Sequence, residues 1–82
     1  MITVMNVMRK EKDITQIDLA NEVGITQAEI SMIERGKVTP KEETLDKIAQ
    51  LLATPKDELL LPYKEWLEAQ YAARDRTIRK EA

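Results

Sequence analysis

The chain has 82 residues and carries 13 Lys and Arg against 15 Asp and Glu, a net charge of −2; this bounds it to one small domain, near the lower limit of what folds without staples. It contains no Cys and no His, which excludes a disulfide framework and a thiolate metal site and removes the commonest metal ligand and general base. With no Cys, a reducing cytoplasm is the expected compartment; no apolar run approaches the roughly 18–20 residues of a membrane span, and the N-terminus shows no signal-peptide apolar region.

In chain order, Thr3 to Lys12 reads as a first helix, with Val4, Met5 and Met8 as its buried stripe. Asp13 follows at a position that can require a left-handed backbone, which Asp tolerates better than most side chains. Thr15 to Lys37, TQIDLANEVGITQAEISMIERGK, is the stretch around which the rest is organised. Thr15 can cap a second helix over 16–23, whose inner positions are Leu19, Ala20 and Val23. Gly24 supplies the positive-φ residue that ends it. Ile25 plugs the corner, and Thr26 caps a third helix over 27–35, with Ile30 and Ile33 on its inner side. A helix pair joined by a short Gly-containing turn is the arrangement of DNA-binding helix-turn-helix units.

At 100° per residue, Gln27, Ala28, Ser31, Met32 and Arg35 fall within an arc of about 140° on the third helix. That face suits a major groove, whose edges distinguish all four base pairs. Gln27 can make a bidentate contact to adenine, Ala28 and Met32 can pack on thymine methyls, and Ser31 suits a base edge or a phosphate. Thr26, Arg35, Lys37 and Lys41 are placed for phosphates. Glu29 is less comfortable on this face, since it repels phosphates unless it accepts from a cytosine amino group. For each of these side chains the plain alternative is an ordinary solvated helix face.

Gly36 ends the third helix and Lys37-Val38-Thr39-Pro40 forms a loop. Thr39 as cap, Pro40 as first helical residue and Glu42 and Glu43 in the first turn predict the start of a fourth helix, with Leu45, Ile48, Ala49 and Leu52 as its core stripe. Thr54-Pro55-Lys56-Asp57 predicts a short fifth helix in the same way, closed by Leu59 and Leu60. Pro62 then interrupts. From Tyr63 onward all three aromatic residues of the chain occur, Tyr63, Trp66 and Tyr71. With Leu67, Gln70, Arg74 and Ile78 they form one stripe on a helix too short to be stable alone in water. The stripe can fold back on its own domain, pair with a second copy or dock a different protein. Arg74, Arg76, Arg79 and Lys80 make its far end basic.

The sequence resembles a known family. Gln16, Ala20, Gly24, Ile30, Ser31, Glu34 and Gly36 match the pattern Q-x3-A-x3-G-x5-[IV]-S-x2-E-x-G of phage repressor/Cro-type (XRE) transcriptional regulators, and the likeness runs from about Asn6 to Leu60. The resemblance implies an all-α, five-helix, lambda-repressor-like DNA-binding domain over 1–61. The chain then adds an amphipathic C-terminal helix over 62–82. It also implies that Arg9 and Glu34 form a salt bridge tying the first helix to the reading helix, and that Gln16 binds a DNA phosphate and supports the reading helix. The loop after Gly36 is then expected to lie along the DNA backbone, and the fifth helix to contribute to a dimer contact. Three residues depart from the family's pattern: Asp13 stands where Gly is usual, Ile17 where a polar residue is usual, and Met32 where a basic or amide residue is usual.

Two functions from different classes are open, and a third is weak. The first is a sequence-specific regulator, most simply a repressor, acting as a homodimer on double-stranded DNA with a palindromic operator. Tyr63, Trp66, Leu67 and Tyr71 are its dimerisation candidates, and on DNA it would be nucleoid-associated. Arg9, Lys10, Lys12, Arg35, Lys37 and Lys41 cluster around the reading unit, which offsets the unfavourable net charge. The second is an interaction module or antitoxin that binds a partner protein through the aromatic helix. The third, an enzyme, lacks any catalytic constellation or phosphate-cradling loop, and no cofactor or metal is expected.

Overall fold

The computed structural model describes the backbone of residues 1–81 and the side chains of residues 1–73. Its helices are α1 (Val4–Glu11), α2 (Gln16–Val23), α3 (Gln27–Glu34), α4 (Glu42–Leu52) and α5 (Tyr63–Glu81), with one 3-10 turn at Lys56–Glu58 between the last two. The architecture is all-α. No helix among the described residues is long and apolar enough to cross a membrane.

The first three helices start by the same device. Thr3, Thr15 and Thr26 hold extended backbone, and each hydroxyl accepts from the amide three residues on, that of Asn6, Asp18 or Glu29. A threonine at this position satisfies one of the orphan amides of a helix start. Gly24, at φ 86°, ends α2, and its amide and that of Ile25 both donate to Ala20 O, at 2.8 and 3.0 Å. Asp13 is left-handed at φ 57°.

Two expected starts differ. Thr39 does not cap α4 and Pro40 does not open it. The N-cap is Lys41, without a side-chain cap, and the first helical bond runs from Leu45 N to Lys41 O at 2.9 Å. Glu42 and Glu43 in the first turn complement the helix dipole there. Thr54 likewise caps nothing downstream. Its hydroxyl turns back to Leu52 O at 2.9 Å, satisfying a carbonyl at the end of α4. A single 3-10 turn over Lys56–Glu58 stands in place of the expected fifth α-helix.

The core is Met5, Leu19, Ala20, Val23, Ile30, Ile33, Ile48, Leu52 and Leu59, with Met8, Ile14, Ile25, Leu45, Ala49 and Leu60 packed on its edge. Leu45 and Ala49 therefore lie at the margin of the core, whereas Ile48 and Leu52 lie inside it. Each fully buried aliphatic side chain contributes about 1.5–3 kcal/mol by leaving water.

The two ends of the folded unit are laced together. Thr3 and Pro62 form an antiparallel bridge, Val4 N donates to Leu61 O at 3.0 Å, Met5 N to Leu59 O at 2.9 Å, and Tyr63 N to Ile2 O at 2.9 Å. This clamp fixes where α5 begins. Tyr63 and Trp66 stack with ring centroids 5.8 Å apart, the Trp66 indole N–H donates to Glu58, and Tyr63, Trp66 and Leu67 are half-buried. Beyond that first stretch the helix leaves the body. Side chains 68–73 are all exposed, Tyr71 by 61%, and the molecule measures 49 × 23 × 21 Å. Folding back on the domain thus holds for Tyr63, Trp66 and Leu67 at the start of α5 and not for residues 68–73. The stripe positions Arg74 and Ile78 and the basic cluster Arg74, Arg76, Arg79 and Lys80 lie outside the described side chains. Ile17 is 54% exposed.

Candidate nucleic-acid interface

α3 is two-sided. Ile30 and Ile33 are buried in the core and Glu34 is only 2% exposed. On the other side Gln27, Ala28 and Arg35 are exposed and Ser31 and Met32 half-buried. A short helix seated this way has little freedom to rotate, because any turn about its axis would expose Ile30 or Ile33.

Its C-terminal end is held by a buried polar network centred on Glu34. Arg9, 7% exposed, donates through Nε to Glu34 Oε2 and through Nη2 to Oε1 at 3.2 Å, while its Nη1 reaches Ile14 O at 2.7 Å. Asn6 Nδ2 and Gln16 Nε2 donate to the same Oε1, at 2.8 and 3.1 Å. Thr3 adds a bond from its hydroxyl to Glu34 O at 2.8 Å. One carboxylate thus ties α1, α2 and α3 together. Burial by itself would raise the Glu34 pKa, but the hydrogen bonds from Arg9, Asn6 and Gln16 and the Arg9 charge outweigh it and hold the carboxyl below its ordinary value.

Sequence reasoning does not single out Thr3 and Asn6, although a signal for both exists. Asn6 precedes Arg9 by three residues, so the two share a helix face, and Thr3 stands three before Asn6 in a capping pattern.

The residues expected at phosphates occupy different situations. Gln16 is half-buried and engaged with Glu34. Thr26 is exposed, but its hydroxyl is engaged with Glu29, accepting from the Glu29 amide at 3.1 Å and donating to Oε1 at 3.3 Å. Glu29 therefore serves the helix start, which gives it a structural reason to stand on this face. Arg35 is exposed and its Nε donates to Ser31 O at 3.3 Å. Lys37 and Lys41 are exposed in and after the loop beyond Gly36. Gly36 has φ +71°, and a Cβ there would run into the Met1 methyl.

On α4, Glu42 and Asp46 are paired with Lys56 at 2.7 and 3.1 Å, and the hydrogen bond to Glu42 is the leading cause that raises the Lys56 pKa. By contrast, Lys10, Arg35, Lys37 and Lys41 have no carboxylate partner among the described residues. Within the net charge of −2, these four exposed cations stand without a described carboxylate neighbour in bonding range.

The Helix-turn-helix family HTH_3 matches residues 7–59, well over half the chain. The chain belongs to that family. Among named relatives of this helix-turn-helix protein, a cryptic phage CTXphi transcriptional repressor, RstR of Vibrio cholerae, is 34% identical over 53 residues, which cover 65% of this chain and 48% of that one. The HTH-type transcriptional regulator y4dJ of Sinorhizobium fredii, uncharacterised, is 36% identical over 58 residues, 71% of this chain and 75% of that one. The match thus spans about half of the Vibrio relative's length. Among solved structures, a hypothetical transcription factor, NHTF from Neisseria, superimposes with a TM-score of 0.66 at 29% identity, over 80% of this chain and 74% of its own. Family and relatives together support a DNA-binding transcriptional regulator as the broad class.

Proposed function

We propose that the protein is a sequence-specific transcriptional repressor that acts as a homodimer on a palindromic operator and reads the major groove with α3. The observation that carries this reading is the two-sidedness of α3: Gln27, Ala28, Ser31 and Met32 look outward, while Ile30, Ile33 and the Glu34 network immobilise the helix from behind. A reading helix needs that combination, because base contacts tolerate little positional error. Gln27 reads adenine through its amide, Ala28 and Met32 pack on thymine methyls, and Ser31 meets a base edge. Gln16, Arg35, Lys37 and Lys41 take phosphates and set register. Thr26 joins them by turning its hydroxyl away from Glu29.

The exposed cations Lys10, Arg35, Lys37 and Lys41, none paired with a carboxylate among the described residues, supply the electrostatic attraction in this reading. A single unit of this size buries modest surface on DNA, so useful specificity calls for two half-sites about one helical turn apart. Residues 1–61 form the DNA-binding unit in this reading and α5 the dimerising arm, with Tyr63, Trp66 and Leu67 at its root and Tyr71 exposed for a second copy. The repressor output is supported by the name of the Vibrio relative.

Selection of bound sequences from a random duplex pool, at low and at physiological salt, tests this. A palindrome with half-sites about ten base pairs apart, bound more weakly as salt rises, is the expected result. Recovery of nothing at either salt refutes it. The exposed Tyr71 on a projecting helix favours one competitor, an antitoxin-like module that captures a partner protein through α5, and an empty selection would turn the search to that partner.

A further inference from the structure

We propose that the groove between α1, α2 and α3 seats one DNA backbone phosphate, with Lys10 as its cation, and that Asn6 is the positioning residue that lets Gln16 turn to it. The inference rests on the DNA-binding reading and adds two residues to it. The groove encloses about 270 Å³ and is lined in part by Asn6, Lys10, Gln16, Ser31, Glu34 and Arg35. Lys10 and Arg35 bring two cations without a carboxylate partner among the described residues. The one acid in the lining, Glu34, is neutralised by Arg9 behind it and Met1 and Ile2 complete the wall, so the charge a phosphate meets in the groove is that of Lys10 and Arg35.

Hydrogen-bond counting at Glu34 shows why Asn6 matters. Oε1 accepts from Asn6 at 2.8 Å, Gln16 at 3.1 Å and Arg9 Nη2 at 3.2 Å. A carboxylate oxygen offers about two lone-pair directions, so three donors exceed its capacity. Asn6 makes the shortest of the three bonds, and Gln16 is the longer of the two neutral donors. When Gln16 swings to a phosphate, Oε1 keeps Asn6 and Arg9 and stays satisfied. Without Asn6, the same movement strips a buried carboxylate to one long bond on that oxygen, a costly state. Asn6 thereby frees Gln16 for DNA without touching DNA itself.

The test uses the full chain with ¹⁵N-labelled side-chain amides, titrated with the duplex recovered by the selection. The Gln16 Nε2 resonances are expected to shift on binding while those of Asn6 Nδ2 stay in place; movement of Asn6 with a static Gln16 overturns the proposal. In affinity measurements, Gln16→Ala is expected to cost about tenfold in the native background and less than about twofold in the Asn6→Leu background. Equal costs in both backgrounds overturn it, since a merely structural Asn6 would lower Tm without changing what Gln16 contributes. Lys10→Ala is expected to lower the slope of log K against log salt by about one, and an unchanged slope removes Lys10 from the seat. If the native protein binds no duplex at all, the parent reading falls first, which separates the two failures.

Discussion

Replacing Glu34 by Gln removes one charge and almost no volume, and it isolates what the buried network contributes. Four donor contacts converge on the native carboxylate, two of them from Arg9. An amide can accept on one side only. If its oxygen faces Asn6 and Gln16, its NH₂ confronts the Arg9 Nε–H, and the Arg9 guanidinium keeps Ile14 O and the long bond from Nη2 while losing its counter-charge. Removing one member of a buried ion pair costs about 3–5 kcal/mol, because the other is left uncompensated. Total stability for a chain of this length is about 4–12 kcal/mol, so the substitution consumes a large share of it and lowers Tm by about 12–40 °C. Arg9→Met is expected to do comparable damage by stranding the carboxylate. The pair Arg9→Met with Glu34→Leu is expected to cost clearly less than the sum of the single changes. Urea unfolding followed by far-UV circular dichroism measures all of these. A Glu34→Gln cost below about 1 kcal/mol, or additive single changes, would refute the assignment of the network as the brace of α3.

The same network sets an acid limb of stability. Because the folded Glu34 pKa lies below its unfolded value, its contribution is fully present above about pH 4.5 and is lost as pH falls through the folded pKa; urea midpoints at pH 6 and pH 3.5 should differ more in the native protein than in Glu34→Gln. On DNA, Gln27→Ala should change base preference at one operator position, whereas Lys37→Ala should weaken all sequences alike and flatten the salt slope by about one; identical behaviour of the two on every duplex would contradict the assigned roles. Truncation after Leu67 keeps the Trp66–Glu58 bond and the clamp, so the shortened chain should stay folded and sediment as a monomer, and a persistent dimer would remove the rest of α5 from the interface. Ala53, left-handed at φ 49° after α4, carries a strain of about 1–2 kcal/mol that glycine relieves at a smaller entropic cost; Ala53→Gly should raise stability by about 0.5–1 kcal/mol in thermal melts, and a loss would mean the strain is absent.

Local chemistry determined the reading unit from the sequence alone. The Thr15 and Thr26 caps, the Gly24 corner and the 3.6-residue recurrence of Leu19, Val23, Ile30 and Ile33 each act within one or two turns, so residue order places α2 and α3 and assigns their inner faces. Signals of the same type misplace the starts near Thr39 and Thr54. A Thr-Pro pair only permits a helix to begin there. α4 begins beyond the proline, with Lys41 as its cap residue, and Thr54 bonds back to a carbonyl of the helix before it.

Contacts between distant segments belong to the tertiary structure. Thr3 and Asn6 meet Glu34 across separations of 31 and 28 residues, and residues 2–5 bond to 59–63 across nearly the whole folded unit. A local pattern puts Thr3, Asn6 and Arg9 on one face of α1 but does not name their distant partners, which depend on the angles at which three helices cross. The aromatic stripe shows the same division. Its composition announced a surface that must be covered, and only the clamp between the N-terminus and Pro62 decided that α5 packs Tyr63, Trp66 and Leu67 against the body and sends the next residues, Tyr71 among them, out from it. Propensity and capping are settled within a few residues; the direction of a helix is settled by whatever its first turn packs against.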